Sequence, residues 1–108
     1  MDVVHTRRVR RFFKVLQTGR TSQTAMMTLR PGQASGPNKS TDHPKSEQVL
    51  LVMRGAVFAE VGRTKRTLKS GDVVLVPAGA AHRFFNRGKT TVTFNVYAPP
   101  AYDEDEEE

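Results

Sequence analysis

Cysteine is absent from this chain of 108 residues. Its absence excludes disulfides and every metal scheme built on thiolate, and it removes redox chemistry as a guide to compartment. Long apolar runs are absent as well: the longest, Val49 to Met53, has five residues, against the roughly 20 that a membrane span requires. Arg7, Arg8, Arg10 and Arg11 near the start are followed by no sustained apolar segment. That stretch therefore does not read as a secretory signal, and the cytoplasm is the expected compartment, with no membrane partner. Helical periodicity is nearly missing too. What is left is a chain of a size to bury one core without covalent or metal staples.

Charge is present in excess, and unevenly. Lys and Arg number 17 against 11 Asp and Glu, and six of those acids form the run Asp103 to Glu108. The body is strongly basic once that run is set aside. Its cations are scattered through turns, however, and no helix-turn-helix, zinc finger or aromatic-basic RNA motif accompanies them, so they read as solvated charge and not as a nucleic-acid surface. The acidic run has no core to join and is expected to be disordered over 101–108.

Alternation and turn residues divide the rest. Residues 1–20 read as a basic arm, in which Phe12, Phe13, Val15 and Leu16 are compatible with a short strand or a frayed helix. Gln23 to Arg30 alternates as a strand and stops at Pro31-Gly32. Gly32 to Pro44, rich in Gly, Pro and small polar residues, reads as a long loop of the kind that often carries function. Gln48 to Arg54 is apolar on both faces after a polar start and is expected to be buried on both. Ala56 to Val61 and Thr64 to Leu68 form a hairpin across Gly62-Arg63. Two short strands follow, from Val73 and from His82, and a last one runs from Thr91 to Tyr97, with Val92, Phe94 and Val96 on one face. Met26, Met27, Met53, Phe84 and Phe94 are the expected core. Seven or eight short strands with turns every eight to twelve residues make an all-β sandwich or barrel.

One stretch is more specific than the rest. In GDVVLVPAGAAHRFFN, from Gly71 to Asn86, Pro77 ends a strand, Gly79 permits the reversal, and His82, Phe84 and Asn86 share one face of the next strand. An imidazole is thus delivered beside apolar packing at a place fixed by two turns. The spacing G-x5-P-x-G-x2-H-x3-N resembles the second motif of the cupin family at every fixed position. Upstream, STDHPKSEQVLLVMRG resembles that family's first motif, G-x5-H-x-H-x3-4-E-x6-G, less closely. Counted back from Gly55, Gln48 stands where the family has glutamate, His43 at the second histidine and Thr41 at the first, while Gly36 is off by one position.

The resemblance covers roughly residues 20 to 100 and implies a single-domain cupin jelly-roll β-barrel over 21–100. It also implies a divalent transition metal (Mn, Fe, Co, Ni or Zn) held by His43, Gln48 and His82, with Thr41 a fourth position. Two neutral imidazoles and an amide oxygen suit such an ion and leave it open sites. Glu47 is one residue from Gln48 and by alternation points to the opposite face, and a one-residue bulge would exchange the two. With Gln in place of Glu the protein supplies no charge to the ion, which favours an anionic further ligand. The bland readings are a packed barrel histidine at position 82 and simple loop polarity at His43. Function therefore divides three ways: a metal-dependent oxygenase or isomerase acting on a small polar or anionic molecule, a binding or sensing domain for such a molecule, and a structural oligomerisation module. Edge strands and the apolar part of the arm lead us to expect a homodimer.

Overall fold

The computed structural model describes residues 1–103, apart from the side chain of Arg8. Of the acidic tail, residues 104–108 lie outside the described residues, so disorder there is untested. Eight strands follow a single 3-10 turn at Thr6–Arg8: β1 Phe13–Thr18, β2 Gln23–Leu29, β3 Glu47–Arg54, β4 Ala56–Val61, β5 Thr64–Lys69, β6 Val73–Val76, β7 His82–Phe85 and β8 Thr91–Ala98. They form a five-stranded sheet in the order β1-β2-β8-β3-β6 and a three-stranded sheet in the order β5-β4-β7. All pairings are antiparallel. The architecture is the all-β jelly-roll barrel that the motif spacing implies.

One glycine folds one sheet onto the other, and a second turns a hairpin within the three-stranded sheet. β3 and β4 are nearly one strand, broken only at Gly55, where φ of +83° turns the chain out of the first sheet and into the second. The β4–β5 hairpin turns at Gly62, whose φ is +57°. Between the sheets lies a core of Met27, Leu29, Leu50, Val52, Val57, Ala59, Leu68, Val76 and Phe84.

Three expectations need correcting. β3 is not buried on both faces: Gln48, Leu50 and Val52 point inward, while Val49 is exposed and Leu51 half-buried. On β8 the apolar set Val92, Phe94, Val96 faces outward, and Thr91, Thr93, Asn95 and Tyr97 are the buried row. Of the expected core, Met26, Met27 and Phe84 are buried, while Met53 and Phe94 are only half-buried. The inward row of β8 is polar because its side chains are hydrogen-bonded, Thr91 to Ala56 O, Thr93 to Met27 O, and Asn95 to Thr93 and Gln48, so apolar alternation does not mark the inner face of this strand. The stretch read as an arm resolves as the strand alternative, since from Phe13 it is β1, an edge strand bonded to β2 of its own chain, with Phe12 and Phe13 packed on the core.

The long loop is ordered by the second sheet. Gly32 N–H donates to Asn86 O, Ser35 N–H to Phe84 O and Ser40 N–H to His82 O, and His82 N–H returns a bond to Ser40 O. The loop thus runs along β7 as an irregular extra strand, satisfying its open edge. That path carries residues 41–44 to the point where β7 begins.

Candidate metal centre

His82 opens β7 immediately after the turn at Pro77, where Ala80 N–H donates to Pro77 O and Gly79 takes a φ of +82°. His43 reaches the same place from the long loop, in a turn closed by Ser46 N–H to His43 O. Ser46 is tied in turn to Pro99 O through its hydroxyl. Gln48 enters from β3, in register with Tyr97 on one side and Val76 on the other. All three side chains are buried, His43 at 5%, His82 at 6% and Gln48 at 2% exposure.

Their polar atoms converge. His43 Nε2 lies 2.9 Å from Gln48 Oε1 and 3.1 Å from His82 Nε2. The other ring nitrogens decide what these short distances mean. His43 Nδ1 is 3.2 Å from Ser46 O, and His82 Nδ1 is 3.0 Å from Ala80 O. A carbonyl only accepts, so each Nδ1 carries the ring proton, and in the neutral rings both Nε2 atoms present lone pairs. The Gln48 amide nitrogen donates to Asn95 Oδ1 at 2.8 Å, leaving its oxygen for the histidines. Three acceptors therefore face one another with no proton of their own between them. A cation satisfies that arrangement. Donors bound at about 2.1 Å to one ion stand roughly 3.0–3.4 Å apart, so the spacing fits.

Electrostatics point the same way. Burial pushes the His82 imidazole below its usual 6.5; the Ala80 carbonyl raises it in part, His43 lowers it further, and Asp42 raises it slightly. The ring is thereby kept in the neutral form that ligates. Burial also pushes the Tyr97 phenol well above its usual 10.0, helped by Tyr102, which interacts with it both through charge and by a hydrogen bond, and by Asp42. Tyr97 stands edge-on to His43 with ring centroids 5.0 Å apart, and Tyr102 stands likewise against Tyr97 at 5.0 Å. Tyr102 is held there by Gln23, whose Oε1 accepts from the N–H groups of Ala101 and Tyr102 while its Nε2 donates to Tyr102 O. The chain end expected to be disordered tail is at those residues part of the wall of the site.

Of the residues named from sequence, the fold brings His43, Gln48 and His82 together. Thr41 is exposed, as are Asp42 and Glu47. The irregularity in β3 falls between Val52 and Arg54, so alternation holds at positions 47 and 48 and Glu47 points out. Among the described residues no group of three His, Cys, Asp or Glu could hold an ion; the third donor here is an amide. Sequence reasoning missed Asn95, Thr93, Tyr97, Tyr102 and Gln23. The signal for three of them is the polar half of the β8 alternation, which lies opposite the apolar half expected to face the core. A surface cleft of about 270 Å³ beside Phe58, Arg87 and Lys89 shares no residue with the cluster.

Residues 25–97 match the family model described as the cupin domain. The chain belongs to the cupin family. It is 30% identical over 96 residues to the uncharacterized protein YrkC of Bacillus subtilis, a match that takes in 82% of this chain and 50% of that protein. The cupin chain thus spans about half the length of the curated relatives it matches. Among solved structures it resembles BH2720 of Bacillus halodurans, with a TM-score of 0.86 and 26% identity over 95% of this chain and 81% of that one. It also resembles TT1209 of Thermus thermophilus, with a TM-score of 0.81 and 25% identity over 92% of this chain and 98% of that one.

Proposed function

We propose that this cupin binds one divalent transition-metal ion through His43 Nε2, His82 Nε2 and Gln48 Oε1, and that the bound ion captures a small anionic molecule bearing oxygen donors. The observation that carries the reading is the set of three converging acceptors, with both Nδ1 protons already committed to backbone carbonyls. An ion held by these groups meets no protein charge, because two imidazoles and an amide contribute none and the nearby carboxylates Asp42 and Glu47 are exposed. Its double positive charge favours an anionic partner at the sites left open. When bound, the ion supplies Lewis acidity, polarising the oxygen atoms of that partner.

The protein's own residues supply orientation and shelter. The Ser46 and Ala80 carbonyls hold the two rings in the ligating tautomer. The edge-on rings of Tyr97 and Tyr102 cover the His43 side, keeping water from it. Among the described residues no carboxylate joins the cluster beside the two histidines to take a proton.

Titration of the metal-free protein with Mn²⁺, Co²⁺ and Zn²⁺, followed by malonate as a probe anion, tests the reading. One ion per chain and tighter malonate binding in its presence are expected. Malonate binding of equal strength with and without metal would remove the ion from the role given to it, and turnover of a metal-loaded substrate panel would move the protein to the enzymes.

A further inference from the structure

Resting on that reading of the site, we infer that Thr93 and Asn95 are positioning residues, which act through Gln48 by fixing which end of its amide meets the ion. The inference starts at a backbone carbonyl. Thr93 Oγ1 lies 2.9 Å from Met27 O, which can only accept, so the hydroxyl donates its proton there. Its oxygen is then left to accept, and Asn95 Nδ2 donates to it at 3.1 Å. This sets the Asn95 amide with Oδ1 toward Gln48, whose Nε2 donates to it at 2.8 Å. Gln48 Oε1 is thereby turned to His43 Nε2, at 2.9 Å. Polarity runs in one direction from Met27 to the site through three side chains, Asn95 and Thr93 both at 0% exposure and Gln48 at 2%. No water is needed at any step.

The relay opposes what the site would choose alone. In the metal-free protein a turned Gln48 amide would donate its own N–H groups to the facing imidazole lone pairs and form ordinary hydrogen bonds. Turning it would set Gln48 Oε1 against Asn95 Oδ1, so Asn95 would have to turn as well. Asn95 Oδ1 would then meet Thr93 Oγ1, and the hydroxyl would have to abandon Met27 O. A buried polar chain of fixed direction makes each reversal depend on the next. The consequence is an oxygen ligand presented in advance of the ion, in a chain that lacks the carboxylate for which either orientation would serve.

A double-mutant cycle in zinc affinity is the test, with Thr93→Val, Gln48→Glu and both together. In the native background Thr93→Val should weaken zinc binding by about tenfold or more, the usual scale for groups that orient a ligand. In the Gln48→Glu background it should not weaken binding at all, because a carboxylate offers oxygen whichever way it lies. Thr93→Ser keeps the hydroxyl and should keep native affinity. An equal loss in both backgrounds, or a Ser variant as weak as the Val one, would assign Thr93 to packing and overturn the relay. Nuclear Overhauser contacts in the metal-free protein give a second readout. The Gln48 side-chain N–H protons should lie near Asn95 in the native chain and near the His43 ring in Thr93→Val. N–H protons already against His43 in the native chain would overturn the inference. If the native chain takes up no zinc, the proposed function fails, and these contacts alone decide the relay.

Discussion

A glutamate at position 48 would differ from the glutamine there by one group and one charge, and the two predictions that belong to the residue scale start from that site. Near a divalent ion in a partly buried setting, an added negative charge attracts by several kcal/mol before the costs of desolvation and of turning Asn95 are subtracted. A net gain of about 1.4 kcal/mol corresponds to tenfold in affinity. Gln48→Glu should therefore tighten metal binding roughly tenfold, whereas Glu47→Gln, on the exposed face, should leave it unchanged in the same titration. At His82 the prediction concerns pH. The folded-state value lies below 6.5, so between the two values the unfolded chain holds a proton that the folded chain lacks. Stability of the metal-free protein then rises with pH through that window, and is lost as pH falls from 6.5 toward the folded-state value. Thermal unfolding across pH 4 to 8, compared with His82→Asn, should show this slope in the native chain and its reduction in the variant. The position of His82 was legible because two turns fix it. The side chains that orient Gln48 were not, because a polar residue on a strand does not disclose which face is inside.

Among the elements, β3 and β4 show how one backbone position determines the barrel. A Cβ at Gly55 would lie 2.5 Å from Thr91 Oγ1 and 2.9 Å from Thr90 O, and its φ of +83° disfavours any side chain. Thr91 cannot easily withdraw, since its hydroxyl donates to Ala56 O and accepts from Ala56 N–H. Gly55→Ala should lower stability by about 2 kcal/mol or more, from strain and clash together. Chemical denaturation measures it, and a loss under ~0.5 kcal/mol would show that the crossing between sheets tolerates a side chain. Strand positions and this glycine could be read from turn residues and alternation. The long loop could be recognised as a loop but not traced, because its order comes from bonds to β7 made across the fold. Its path along that strand is what joins His43 to His82.

For the whole molecule, the outward row of β8 changes the reading of the surface. Val49, Val73 and Leu75 are exposed, the last two at 62% and 53%. On the same outer face Val73 pairs with Leu51, which pairs with Phe94, and Leu75 pairs with Val49, which pairs with Val96. We propose that a second copy covers this face by sheet-on-sheet packing, which gives the apolar half of β8 a buried environment. Light scattering at roughly tens of micromolar should report a dimer, and Val73→Asp with Leu75→Asp a folded monomer. A monomeric native chain would contradict it. Among the described residues no helix is long and apolar enough to cross a membrane. The barrel and one strong motif could be read from the chain itself; the polar inward row of β8 could not, since it reverses the preference that alternation is normally read by.

The claim on which the rest depends is that His43 and His82 jointly hold one ion. Elemental analysis of the native protein, His43→Ala and His82→Ala, each loaded with one metal and dialysed in one buffer, tests it directly. The account predicts one ion per chain in the native protein and loss of stoichiometric metal in both variants. A native chain that retains no metal, or either variant retaining as much as the native chain, would contradict it.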